Sequence, residues 1–463
     1  MKNKIYLLSA VLLMNVLQSC KDEVEENDVV DSVKQEAVEG LNLRALYSEK
    51  HVIPVSEASE IALKAPEMFA GESTRTKDLI PRTIESIGVY GRTNSSLRSA
   101  NASEDTLVYV FNYEDNRGFA IVAADDRIPT QILAYVDEGV LENEVENPGL
   151  QFALEQMQNY VESSIDNFER SKDSLLKVAE ENSFVVEAKT SETRAVYTGT
   201  SYIYLSEATV GPLIKVTWAQ EDPYNMYVTK NCTPDKFNGG KAPTGCVATA
   251  TAQVMSYWQY PTKVNNYVMD WNDMCSKSTP ETYNQKSNIA RLMREIGFEV
   301  DMNYGCDGSG AETSDAYKWL GKLGYKKYFS KDFNVSDAIK AIRFHRPILI
   351  AGCRTQKTKK ILWWKIPSYH DCHAWVADGC KIIYYEQENY RIDTKTGEYT
   401  STSSIATENY LHNNWGWGGS GNGYFAAGCF DLFAAKSYDE GTYNDDLNER
   451  NYRYKNEMFC VYR

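Results

Sequence analysis

Three short stretches in the second half of the chain hold the residue types that activate a nucleophile. In Pro243-Thr244-Gly245-Cys246-Val247-Ala248-Thr249 a cysteine follows a turn and opens a run with helical periodicity. Val247, Ala250, Val254 and Trp258 fall on one helical face, and Pro261 stops the run. Cys246 is thereby predicted at a helix N-terminus, where the helix dipole favours thiolate over thiol. A cysteine taken at random is more often a buried structural residue. The helix-start placement argues for a reactive thiol here.

The second stretch is His370-Asp371-Cys372-His373-Ala374-Trp375-Val376-Ala377-Asp378-Gly379. Ala374–Ala377 reads as a strand that ends in an Asp-Gly turn, and His373 opens it. An imidazole folded beside Cys246 would be the base that a thiol nucleophile needs. Two histidines and a cysteine within four residues make an awkward metal shell, so neither metal nor cofactor is expected. The third stretch, His412-Asn413-Asn414-Trp415-Gly416-Trp417-Gly418-Gly419, is a glycine-rich aromatic turn. An amide such as that of Asn414 can orient an imidazole, and the indole of Trp415 can shield that contact from water. Asn413 stands beside Asn414, so the register of this role stays open by one residue.

The elements that must position these groups lie in a chain of 463 residues, long enough for two to four domains. It is 43% hydrophobic, which excludes wholesale disorder. The net charge of -15 argues against coating nucleic acid. Residues 1–200 hold 19 basic and 35 acidic residues, residues 201–463 hold 30 and 29, and nine of the ten cysteines follow residue 200. Two different pieces of protein are joined here.

Residues 1–20 combine a positive start, a short apolar stretch and Leu17-Gln18-Ser19-Cys20, which resembles a bacterial lipobox with Cys20 as the lipidated residue. Export and lipid anchoring at an outer membrane or cell surface are expected, with no other membrane contact. Residues 21–45 read as an acidic tether. Across 46–170 a helix over Glu57–Met68 capped by Ser56, a hairpin of Leu107–Tyr113 with Gly118–Ala124, a third strand over Gln131–Val136 and a helix from Asn147-Pro148 to about Arg170 make a small α+β domain. Residues 171–204, charged and Ser/Thr-rich, read as a linker, with Arg194-Ala195 a candidate cleavage point. The remainder, 205–463, is rich in Tyr, Trp and Gly.

Cys246, His373 and Asn414 occur in that order, with 127 residues from Cys to His. This is close to the roughly 130–150 residues that separate the pair in papain-like enzymes. Five blocks carry a fuller likeness: Thr217-Trp218-Ala219-Gln220-Glu221-Asp222-Pro223, Thr244-Gly245-Cys246-Val247-Ala248-Thr249-Ala250, Val300-Asp301-Met302-Asn303-Tyr304-Gly305, His373-Ala374-Trp375-Val376 and Asn414-Trp415-Gly416-Trp417-Gly418-Gly419. Together they resemble the streptopain family of papain-like cysteine peptidases, which are secreted as zymogens. Gly118-Phe119-Ala120-Ile121-Val122-Ala123-Ala124-Asp125-Asp126-Arg127 is similar to that family's propeptide.

The resemblance implies an α+β protein: a papain-like two-lobed catalytic domain, with a helical lobe and an antiparallel sheet lobe, behind a small α+β propeptide. It implies a cysteine endopeptidase working through an acyl-enzyme on protein or peptide substrates, held inactive by its own propeptide. Cys246 is then the nucleophile, His373 the general base and acid, Asn414 the residue that orients His373, Trp415 its shield and Gln220 an oxyanion donor. The sequence departs from the family where Cys372 replaces the usual glycine before the histidine. That thiol reads as a redox brake, a disulfide partner or a residue without a role. The loop 354–365, basic and aromatic, reads as a cleft wall or a solvated loop. Two rival functions share these residues: a transglutaminase-like acyl transferase and a catalytically silent surface binding protein.

Overall fold

The computed structural model describes residues 42–70, 81–91, 94–99, 106–142, 144–182, 196–234, 238–361, 364–393, 396–431 and 454–463. Cys20, Arg194 and Ala195 lie outside them. The N-terminal half contributes helices α1 (Leu43–Tyr47), α2 (Val55–Phe69) and α3 (Pro148–Glu181) and strands β1 (Ile84–Gly91), β2 (Asn94–Ser99), β3 (Thr106–Tyr113), β4 (Phe119–Ala123) and β5 (Ile132–Val136). Strand β6 (Val196–Val210) leads into the C-terminal half. There α4 (Cys246–Trp258), the short pair β7 (Lys263–Val264) and β8 (Tyr267–Val268), α5 (Trp271–Met274), α6 (Tyr283–Glu299), α7 (Thr313–Lys322), β9 (Lys326–Asp332) and α8 (Val335–Arg343) precede a run of strands. These are β10 (Ile348–Ile361), β11 (Trp364–Asp393), β12 (Glu398–Asn414), β13 (Gly423–Ala426) and β14 (Tyr454–Tyr462).

The halves share one antiparallel sheet, ordered β2-β1-β3-β4-β5-β13-β12-β11-β10-β14-β9, with β6 added alongside β11. The seam is β5 against β13, where Tyr135 faces Tyr424 and Ala134 faces Phe425. Strand periodicity then sorts the core into two layers. Ile348, Ile350, Trp375, Ala377, Met458 and Cys460 join the core of the N-terminal half. Their neighbours Leu349, Ala351, Ala374, Val376, Phe459 and Val461 join a second core built with α4, α6 and α7. The C-terminal part of the sheet is therefore covered by α4, α6 and α7 on one face and by α8 and the N-terminal domain on the other. This agrees with the α+β expectation.

The hairpin of β3 and β4, the third strand and the start of α3 at Asn147-Pro148 fall where the sequence predicts them. Several boundaries move. Helix α3 continues past Arg170 to Glu181, because Leu175, Leu176 and Ala179 extend its apolar side onto Leu43 and Leu46 of α1. Helix α1 itself begins inside the expected tether. Helix α2 starts at Val55 behind Pro54, rather than behind Ser56. The segment expected as linker to residue 204 is already strand from Val196, where β-branched and aromatic residues pair with β11. Asp378-Gly379 does not end a strand: β11 passes through it with a bulge and runs to Asp393. The expected loop at 354–365 is instead a hairpin arm, with Arg354 opposite His370 and Ile361 opposite Trp364.

Candidate active site

Cys246 is the first residue of α4, and Gly245 before it caps the helix at φ 90°, ψ 141°. That conformation favours glycine. Space demands it too, since a Cβ on Gly245 would lie 2.6 Å from the sulfur of Met302 and 3.0 Å from the carbonyl of Ser309. The turn is tied down from two sides. Ser309 Oγ donates to the Pro243 carbonyl at 2.7 Å, and the Thr244 N–H donates to the carbonyl of Gln220 at 2.8 Å. A disulfide, Cys232–Cys306, joins the loops that carry these contacts. Gln220 is thereby held beside the residues that lead into Cys246, and it is buried.

The thiol of Cys246 is buried, and burial pushes its pKa up. Hydrogen bonding from the N–H groups of Ala374, Val247 and Cys246 itself pulls the other way. Ala374 follows His373 directly, so β11 delivers the histidine to the rim of the thiol. The imidazole, however, turns to the opposite face of the sheet. It stacks on Trp375 with ring centres 6.3 Å apart, and Nε2 lies 3.1 Å from the carbonyl oxygen of Trp415. A carbonyl only accepts, so this contact fixes the proton on Nε2 and leaves Nδ1 as the basic nitrogen. Burial lowers the His373 pKa to about 4 from an ordinary 6.5, against the Trp415 carbonyl, which raises it. At neutral pH this arrangement is a neutral thiol and a neutral imidazole.

In this arrangement the His373 ring meets the Trp415 backbone, and the Asn414 side chain has other partners. Asn414 Oδ1 accepts from Gln253 Nε2 and Asn414 Nδ2 donates to the Val216 carbonyl, both at 2.9 Å. Strand alternation explains the difference, since Asn414 pairs with Val376 and its side chain meets α4. Asn413 points the other way and accepts from Trp375 Nε1 at 3.0 Å. Trp415 is fully buried, packs on Trp375 at 5.3 Å and donates from Nε1 to the Gly421 carbonyl.

The N-terminal domain closes the site. Asn147 caps α3 through Oδ1 and donates from Nδ2 to the Ser420 carbonyl at 2.7 Å. The next turn of α3 lies on the histidine: a Cβ on Gly149 would sit 2.8 Å from both Cδ2 and Nε2 of His373. Phe152 covers Gly352, opposite His373 in the ladder, and Gln156 exchanges two hydrogen bonds with Asn456. Sequence reasoning missed Gly149, Gln253 and the Trp415 carbonyl. Gln253 had a signal, being a long polar residue on an otherwise small and apolar helix face.

Cys372 is bonded to Cys353. The remaining described thiols besides Cys246 are Cys275, Cys380, Cys429 and Cys460, each pushed up by burial. His51, Asp125 and Asp126 are close enough together to suggest a cation site. Arg127 already holds Asp125 at 2.6 Å, and His51 Nδ1 lies 2.8 Å from Asp126, so these carboxylates already have partners within the protein. Among the described residues no helix is long and apolar enough to cross a membrane.

A helix-start thiol with a histidine one strand residue away, on an α+β frame that an N-terminal domain occludes, defines a thiol peptidase carrying its own inhibitor. Comparison with known proteins agrees in both parts. A model of the peptidase C10 family matches residues 218–425, and one of the Spi protease inhibitor matches residues 51–161. Streptopain of Streptococcus pyogenes is 25% identical over 360 residues, covering 69% of this chain and 73% of streptopain. The thiol protease/hemagglutinin PrtT of Porphyromonas gingivalis is 25% identical over 406 residues, covering 79% of this chain and 40% of that protein. These matches make the chain a cysteine endopeptidase similar to streptopain, with a peptidase C10 match in its C-terminal half. They favour a peptidase over the acyl-transferase and silent-binder alternatives.

Proposed function

We propose that the chain is the exported, lipid-anchored zymogen of an endopeptidase that cleaves polypeptides through Cys246 and His373. The observation that carries this reading is the seat of Gly149 against the His373 ring. An imidazole held between Gly149, Trp375 and the Trp415 carbonyl cannot serve the thiol. Departure of α3 frees Nδ1 of His373 to take the Cys246 proton, giving thiolate and imidazolium. The thiolate attacks the scissile carbonyl. The Cys246 N–H and the Gln220 amide stabilise the oxyanion, and such a donor is worth about 3–4 kcal/mol. His373 then protonates the leaving amine, and water hydrolyses the acyl-enzyme with His373 again as base. The Trp415 carbonyl holds the ring in the docked form and releases it when α3 departs. Asn414 acts at one remove, through Gln253 and Val216.

Processing fits the same frame. Cleavage between Arg194 and Ala195 leaves Ala195 at the new terminus, one residue before β6, which stays paired along β11. In this reading residues 1–20 are the lipoprotein signal, 21–45 largely a tether, 46–170 the inhibitor with α3 extending it, and 205–463 the peptidase. The test is hydrolysis of an unfolded protein by the full chain, by its processed form and by Cys246→Ala, with N-terminal sequencing of the product. Activity must follow processing, must vanish with Cys246→Ala and must be stopped by a thiol alkylator. Full activity of the unprocessed chain overturns the zymogen reading.

A further inference from the structure

The Cys353–Cys372 disulfide lies one residue from the catalytic histidine, at a specific irregularity in the sheet. Between β10 and β11 the register runs from Gly352 opposite His373 to Arg354 opposite His370. Cys353 therefore faces two residues, Asp371 and Cys372, and β11 carries a bulge immediately before His373. Such bulges re-aim the side chains beside them. The bridge joins that bulge to Cys353, on a strand paired from both sides, with β11 and with Lys455 of β14. Cys372 is exposed even with the inhibitor domain in place, whereas His373 is buried.

We propose that the Cys353–Cys372 disulfide is a positioning element for His373, which it aims by pinning the bulge, and that its reduction by a dithiol detunes the peptidase. The step is a two-electron exchange. One thiolate of the dithiol attacks Cys372, the S–S bond breaks, and the second thiol closes the reagent's own disulfide. Cys353 and Cys372 end as thiols. Cys246 has the opposite requirement, since it works only when reduced. Mild monothiol conditions then favour turnover, and strong dithiol conditions depress it. The inference rests on His373 being the base, as proposed above.

The experiment uses the processed enzyme and compares wild type, Cys353→Ser/Cys372→Ser and His373→Ala. For the double serine variant kcat should fall roughly ten- to a hundredfold with KM little changed, as expected when a reacting group is misplaced by about 1 Å. The pH at which Cys246 becomes alkylatable should rise. In parallel, wild type is titrated with a dithiol while bridge opening is followed by differential alkylation and mass spectrometry. This arm does not depend on the variant folding. Here kcat should fall in step with the appearance of Cys353 and Cys372 thiols. Unchanged kcat with the bridge fully open overturns the inference while leaving His373 as base intact. Persistent activity of His373→Ala instead overturns the base assignment itself.

Discussion

Gly149 and His373 are in contact across the boundary between inhibitor and peptidase, so closely that a β-carbon on Gly149 would fall 2.8 Å from two ring atoms. The contact requires a residue without a side chain. Gly149→Val must push α3 away from the imidazole or break the Asn147 cap. The full-length variant should process itself faster than wild type and hydrolyse substrate before processing. An unchanged lag would show that α3 inhibits through other contacts.

The ionisation of His373 reports the same contact. In full-length Cys246→Ala, nuclear magnetic resonance should find His373 titrating at about 4, and near the ordinary 6.5 once the inhibitor domain is separated. A depressed imidazole pKa means that the docked form is favoured when His373 is neutral. Its contribution is present above 6.5 and is lost as pH falls through the window from 6.5 to about 4. A docked pKa above 6 contradicts the burial argument.

Glu408 works in the opposite direction. Burial raises it to about 7, against hydrogen bonds from Tyr410, Tyr385 and the backbone N–H of Gln131 in the inhibitor domain. A raised carboxyl stabilises the docked form fully below 4.5, and that contribution is lost as pH rises through 7. With the linker nicked and Cys246→Ala preventing turnover, Glu408→Gln should hold the two parts together better above pH 7. Equal dissociation of both proteins at pH 8 would remove Glu408 from the account.

Gln220 should act on the transition state rather than on binding. Gln220→Ala is expected to lower kcat of the processed enzyme about 10²–10³-fold with KM nearly unchanged. A rise in KM alone would make Gln220 a substrate contact.

Asn414 and Gln253 should behave as a pair. Each single alanine substitution strands a buried partner, at a cost of about 1–3 kcal/mol in stability. The double variant should cost less than the sum, because one loss already breaks the shared bond. Additive costs in denaturant unfolding would show that the bond contributes nothing.

The helix start at Cys246 was legible because its local chemistry is set by its neighbours, a glycine before a helical run, whereas His373 lies inside β11 rather than at the strand start the sequence suggests. Strands β3, β4 and β5 of the inhibitor were legible from runs of β-branched and aromatic residues and a strong turn at 114–118, whereas β1 and β2 were not. The orientation of Asn414 was not, because it depends on the strand register against Val376, and a one-residue shift exchanges Asn413 and Asn414 between faces. Gly149 was invisible for a similar reason, since its role is a contact with a residue 224 positions away. The extension of α3 and the strand β6 depend on partners, Leu43 with Leu46 and β11, that a local reading cannot supply.

The central claim is that α3 keeps His373 from Cys246, and the reactivity of one sulfur measures it. Alkylation of Cys246 at pH 7 should be slow in the freshly isolated full-length chain, where burial raises the thiol. It should be at least about 10²-fold faster in the processed enzyme, with a thiolate that persists to lower pH and disappears in His373→Ala. Equal alkylation rates in the full-length and processed proteins would contradict the account.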